Sequence, residues 1–140
     1  MGIVYEEITL KNAGDVVLAR RGIMAEPEVR QATVQAMVDT GAGTLVINEE
    51  LRQALGLEVQ RTRQATLANE TKEMVKITEP VEVHWKNRAM TCQPMVVSGC
   101  GDILLGAIPL EDMDLIVDPV RQILTGAHGD EPVSMIKYAE

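Results

Sequence analysis

Apolar and polar residues alternate over much of the chain, and the alternation marks strands. Val34, Ala36 and Val38 face one way and Thr33, Gln35 and Met37 the other, the two-residue period of a half-buried strand. Val81, Val83 and Trp85 repeat it. A strand over residues 3–10 sets Ile8 and Leu10 on one face. Asn12, Ala13, Gly14 and Asp15 form a turn cluster, and residues 16–19 read as a second short strand closed by Arg20-Arg21-Gly22. Glu26-Pro27-Glu28 is another turn, from which the chain climbs to Asp39. After the apolar run Leu45-Val46-Ile47 the period changes. Asn48 suits an N-cap, and Glu49 and Glu50 suit the positive end of a helix dipole. Leu51, Ala54 and Leu55 make the helix's apolar face, and Gly56 stops it.

The second half is read the same way. Residues 62–67 and 72–77 pair as a hairpin around Ala68, Asn69, Glu70 and Thr71, where Asn69 tolerates unusual backbone angles. Residues 80–85 form a strand, Lys86-Asn87-Arg88 a turn, and residues 89–97 the returning partner, with Pro94 marking a bulge or an edge. Trp85 shares its face with two valines and is expected to be packed. After the loop at residues 98–102, Ile103-Leu104-Leu105 is a short apolar strand expected to be buried. Pro109 fits the first turn of a short helix. Residues 115–117 and 123–124 pair across Asp118-Pro119, the tail from Thr125 is loop, and residues 133–138 form a terminal strand. The fold class is therefore all-β, mainly β with one or two short helices.

Composition narrows the function classes. A chain of 140 residues is one domain, residues 1–140, large enough for its own core. Aromatics are 2% and Phe is absent, so the core is aliphatic, with Met filling gaps. A net charge of −8 argues against a general nucleic-acid surface. No apolar run is long enough to span a membrane, and the first seven residues lack the pattern of a signal peptide. The expected location is cytoplasmic, with Cys92 and Cys100 reduced. His84, expected on a strand face, and His128, expected in a loop, fit no metal-ligand spacing. Neither Ser98 nor Ser134 sits in a nucleophile elbow. No metal and no cofactor is expected.

The chemistry gathers where the alternating strand ends. Asp39 follows the strand directly and Thr40, Gly41 and Ala42 follow Asp39, before the chain returns to an apolar run. A carboxylate between two buried strands is costly unless neighbours bond to it, and such a setting shifts its pKa. Gly41 permits close backbone approach, and Thr40 adds a hydroxyl that can brace the loop. This Asp-Thr-Gly-Ala loop resembles the active-site loop of retropepsin-like aspartic proteases, of the small single-domain bacterial type. Leu104, Leu105 and Gly106, preceded by Ile103 and followed by Leu110-Glu111-Asp112-Met113, resemble the family's second signature of apolar residues ending in Gly before a helix. The resemblance is strongest over residues 29–124.

The resemblance implies the family's closed β-barrel, one acid-protease half, assembled as a homodimer. It implies Asp39 as catalytic residue, Thr40, Gly41 and Ala42 as loop support, and Gly106 close to the loop. Ala68, Asn69, Glu70 and Thr71 become the tip of a flap over an extended peptide, although the family's retroviral members have a glycine-rich tip and this one has none. The chemistry needs two carboxylates around one water, one ionised and one protonated. The chain holds one Asp-Thr-Gly and no Asp-Ser-Gly, so the second aspartate must come from a second copy. The function expected is a homodimeric aspartic endopeptidase acting on peptide or protein substrates. The alternative is a weak or inactive dimerisation or peptide-binding module on the same fold.

Overall fold

Strand β1 (Tyr5–Asn12) pairs antiparallel with β2 (Gln31–Val38), in a register that sets Ile8 opposite Val34 and Leu10 opposite Ala32. Facing pairs share a side of the sheet, so this register gathers the apolar positions of both strands on one face. Ile8 and Leu10 are fully buried there. The computed structural model describes residues 3–98 and 101–136.

Between these strands the chain is helical where a strand is expected. Helix α1 (Ala13–Arg20) replaces the turn and the strand read over residues 12–19. Val16 and Val17 favour strand locally, but two tertiary features outweigh them. The Asn12 side chain caps the helix by accepting from the Asp15 amide at 3.0 Å, and it donates to the Leu55 carbonyl at 2.8 Å. Asp15 is buried and receives both Nε and Nη2 of Arg30, at 2.8 and 2.9 Å, and the Arg30 amide at 3.0 Å. The Arg30 side chain holds the Asp15 carboxyl below the usual carboxylate range, against the opposing effect of burial. Arg30 is the residue before β2, so this pair ties α1 to the root of the strand that ends at Asp39.

Strand β3 (Leu45–Ile47) is followed by helix α2 (Glu49–Ala54). Asn48 caps α2, accepting from the Leu51 amide at 2.8 Å, and Gly56 adopts φ +65 just beyond it, as read from the sequence. A hairpin follows, β4 (Val59–Thr66) and β5 (Lys72–Thr78), and then a second, β6 (Val81–Trp85) and β7 (Arg88–Cys92). The partner strand expected over residues 89–97 divides at Gln93-Pro94. The first part pairs with β6, whereas β8 (Met95–Val96) pairs with β3 and β5. Proline has no amide to donate to a ladder, and Pro94 contributes its carbonyl to the Thr78 amide at 3.2 Å. Trp85 is buried on the face of Val81 and Val83. Burial, and then the charge of Asp112, push the Cys92 thiol up to about 11, leaving it protonated near neutrality. Cys100 lies outside the described residues.

The last elements are β9 (Ile103–Leu105), helix α3 (Ala107–Asp112) and an antiparallel pair, β10 (Leu115–Asp118) and β11 (Ile123–Gly126). Only Leu105 of the β9 triplet is fully buried; Ile103 and Leu104 are half-buried. The strand reaches Gly126, two residues further than expected. Residues 133–136 form no strand, and the rest of the expected terminal strand, residues 137–138, lies outside the described residues. The main sheet has nine strands in the order β4-β5-β8-β3-β9-β2-β1-β6-β7. It is a curled half-barrel rather than the closed barrel expected, because β4 and β7 each pair on one side only among the described residues. Ile8, Leu10, Leu45, Ile47, Leu55, Leu57, Val81, Val83 and Leu105 fill its core. Each such side chain contributes roughly 1.5–3 kcal/mol by leaving water. No helix among the described residues is long and apolar enough to cross a membrane.

Candidate active site

Strands β2 and β3 are consecutive in the chain but do not pair. β9 lies between them, parallel to β2 and antiparallel to β3, so Leu105 faces both Val38 and Leu45. The loop joining β2 to β3 must therefore pass around the end of β9, and Asp39 is its first residue. The Asp39 amide donates to the Leu105 carbonyl at 3.0 Å, which carries the pairing one residue past the strand. The loop then closes on itself. The Gly41 amide donates to Asp39 Oδ1 at 2.9 Å, and the Ala42 amide to the Asp39 carbonyl at 3.1 Å.

Gly106 explains why the two sequence signatures occur together. A Cβ there would lie 2.3 Å from the Thr44 carbonyl oxygen and 2.6 Å from that of Ala42. These are backbone atoms, which cannot rotate away, so only glycine fits. Its φ of −88 is ordinary; closeness, not conformation, demands the residue. Immediately after it, the first amides of α3 donate into the loop, Ala107 to the Ala42 carbonyl at 2.8 Å and Ile108 to the Gly43 carbonyl at 3.1 Å. These amides have no partner within their own helix, and the loop carbonyls supply one. The structure thus brings Leu104, Leu105 and Gly106 together with Asp39, Thr40, Gly41 and Ala42 in one hydrogen-bonded unit.

One expectation is corrected. Asp39 is half-buried and Thr40 exposed, so within a single copy the carboxylate is not enclosed between buried strands. The strands part around β9, and the loop lies on the open side of that fork. The carboxylate accepts from the Gly41 amide through Oδ1.

The hairpin tip is the second region read from the sequence. Thr66 and Lys72 are its last pair, and the Leu67 amide donates to the Thr71 carbonyl at 2.8 Å. Asn69 acts through its side chain, accepting the Thr71 amide at 3.2 Å and hydroxyl at 2.5 Å. The positive φ falls on Glu70, at 66, and not on Asn69 as expected. Ala68, Asn69, Glu70 and Thr71 are all exposed, and among the described residues no hydrogen bond joins them to the Asp39 loop. Lower in the hairpin, Glu73 accepts from the Ser98 hydroxyl and, at 3.3 Å, from the Ser98 amide.

A third cluster escaped the sequence reading. Arg88, expected in a turn, begins β7 and is buried. Its Nη1 donates to the carbonyls of Met113 and Asp114, at 2.9 and 2.5 Å, and its Nη2 to that of Gly129 at 2.6 Å. Asp114, at φ 56, accepts from His128 Nδ1 at 2.7 Å and from the Val133 amide at 3.0 Å. The non-glycine residue at positive φ is visible only in coordinates. A lone buried arginine reads from sequence as a turn cation.

Residues 25–112 match the family described as "gag-polyprotein putative aspartyl protease". The chain belongs to this aspartyl protease family. Its retropepsin-like fold is shared with the retroviral protease-like domain of Ddi1 from Leishmania major, at a TM-score of 0.54 and 16% identity over 89% of this chain and 88% of that one. Similarity extends to a retropepsin-like aspartic protease from Rickettsia conorii, with 22% identity over 84% of this chain and 89% of that one and a TM-score of 0.45. It extends also to the EIAV protease complexed with the inhibitor HBY-793, with 25% identity over 57% and 76% and a TM-score of 0.43. No curated protein sequence matches the chain significantly. The Asp39 loop lies within the matched residues.

Proposed function

We propose that this aspartyl protease is a homodimeric endopeptidase in which each copy contributes Asp39 to one shared site. The observation that carries the reading is the Asp39 loop itself: a carboxylate on the open side of the β2–β9–β3 fork, held by backbone bonds from β9 and α3. Two such loops facing each other across a twofold axis bring two carboxylates to one water. Two carboxyls that close do not both ionise, so they share a proton and titrate as a pair. The ionised member takes a proton from the water as it attacks the peptide carbonyl, and the protonated member donates to the carbonyl oxygen. Thr40, exposed beside the carboxylate, braces the two loops across the axis, and Ala42 lines the site. The β4–β5 hairpin covers a peptide bound in extended form.

The test is cleavage of a diverse peptide library from acidic to neutral pH, with Asp39→Asn alongside and the oligomeric state measured by sedimentation. A dimer whose cleavage falls by about a thousandfold or more in the variant is the expected result. Undiminished cleavage by folded Asp39→Asn refutes the assignment. A second reading, a peptide-binding module with little hydrolysis, is favoured by the glycine-free tip, where Asn69 and Glu70 close a bonded turn. Folded dimers of both proteins that bind peptide and cleave none support it.

A further inference from the structure

The strand registers trace a row of residues across the sheet on the face away from the core. Met37 of β2 lies opposite Leu104 of β9, Leu104 opposite Val46 of β3, and Val46 opposite Met95 of β8. Met95 lies opposite Ile77 of β5, and Ile77 opposite Arg61 of β4. Paired residues share a face, so these six share one. None belongs to the core cluster, which takes their neighbours Leu105, Leu45 and Ile47 instead. The row is apolar for five strands and ends on a cation. Asp39 follows Met37 by two residues, so the alternation of β2 sets it on the same side. Arg63, two residues beyond Arg61 and opposite Val75, returns to this face. Five strand-to-strand steps separate Met37 from Arg61, about 24 Å measured along the curled sheet.

The charge at this end of the row runs against the rest of the chain. The net charge is −8, yet residues 59–78 hold Arg61, Arg63, Lys72 and Lys76 against only Glu70 and Glu73. The lysines belong to the other face: Lys76 lies opposite Thr62 and Val96, with its ammonium 3.4 Å from Glu49, and Lys72 lies opposite Thr66. Both arginines are exposed, and among the described residues neither forms an ion pair. Arg61 Nη2 donates to the neutral Gln93 Oε1 at 3.1 Å. Glu73, opposite Ala65 and so on the arginines' face, accepts from Ser98. We propose that Arg61 and Arg63 select peptides that carry an acidic side chain, seating it at the hairpin end of the row while apolar side chains lie along Leu104, Val46 and Met95. This inference rests on the peptide-cleaving reading and names the substrate class of that site. A guanidinium offers a carboxylate two parallel donors and a charge, which a side-chain amide of the same shape cannot match. Water and salt screen the exposed arginines, so the selection is moderate. An extended peptide advances about 3.3 Å per residue, which puts the acidic side chain within about seven residues of the bond cleaved.

The experiment measures peptide binding by fluorescence anisotropy on Asp39→Asn protein, so that its readout does not need hydrolysis. The probes are apolar peptides of about ten residues with Glu, Gln or Lys at each position in turn, near neutral pH. At one preferred position Glu is expected to bind about tenfold more tightly than Gln, with Lys weakest, and added salt narrows the gap. Arg61→Gln/Arg63→Gln on the same background brings Glu and Gln within about twofold, and Arg61→Glu/Arg63→Glu turns the preference toward Lys. Equal binding of the Glu and Gln peptides, a Glu preference that survives in the double Gln variant, or no binding of any peptide overturns the proposal. Cleavage of the same peptides by wild type separates the two readings. Cleavage without acidic preference removes the role of the arginines and leaves the protease, whereas acid-selective binding without cleavage leaves the arginines and removes the endopeptidase.

Discussion

The Asp39 loop and the β4–β5 hairpin tip are both short connections between strands, yet they are held in opposite ways. The loop is fixed by other parts of the chain. β9 accepts its first amide, α3 donates two amides into it, and Gly106 leaves no room for the loop to move. Among the described residues the tip is held by itself, through bonds among Leu67, Asn69, Glu70 and Thr71. β4 beneath the tip is exposed along almost its whole length. A reacting carboxylate must stay within a fraction of an ångström of its productive position, whereas a cover over substrate must open and close. The difference in attachment fits the roles proposed for the two, a reacting carboxylate at Asp39 and a cover at the hairpin tip.

The comparison breaks most severely at Gly106. Gly106→Val drives side-chain carbons into the backbone of Thr44 and Ala42, with an expected loss of about 4 kcal/mol or failure to fold. Denaturant unfolding measures it, and a loss under 1 kcal/mol would show that the loop is free to yield. The root of β2 comes next. Asp15→Asn leaves Arg30 without its partner, and with Arg30 half-exposed the expected cost near neutral pH is about 2 kcal/mol. Because the Asp15 carboxyl is held below its ordinary range, its contribution is full above that range and fades as pH falls through the lowered value. The gap between wild type and variant should therefore close on acidification; a gap constant with pH contradicts the ion pair. The tip gives the smallest effect on stability. Glu70→Gly removes left-handed strain but adds chain freedom, and the two nearly cancel, to within about 0.5 kcal/mol. If hairpin opening limits turnover, kcat rises about threefold in the same variant. A large change in unfolding midpoint with unchanged kcat would place Glu70 in the braced part of the molecule instead.

The same contrast governs what the sequence made legible. The strand into Asp39 shows through Val34, Ala36 and Val38, because a two-residue period needs only local reading. Helix α2 shows through Asn48 and Gly56, which act on their own neighbours. Gly106 is legible through the family resemblance alone, since spacing does not reveal its close approach to the backbone of Thr44 and Ala42. Helix α1 was hidden because Val16 and Val17 speak for a strand, and the deciding partner of Asp15 is Arg30, across a turn. The Arg88, Asp114 and His128 cluster was hidden for the same reason, since its members lie far apart in the chain and carry no shared motif. Pro94 reads as a bulge or an edge within one strand, whereas the structure ends β7 before it and passes β8 to β3 and β5.

The central claim is that one site draws a carboxylate from each of two copies, and mixing the subunits tests it most directly. Wild-type protein at fixed concentration is titrated with folded Asp39→Asn protein, allowed to exchange, and assayed for peptide cleavage. Mixed dimers hold a single aspartate, so activity should fall steadily toward zero as the inactive copy comes into excess. Cleavage that stays constant, set by the amount of wild-type chain alone, would contradict a shared site and assign the chemistry to a single copy.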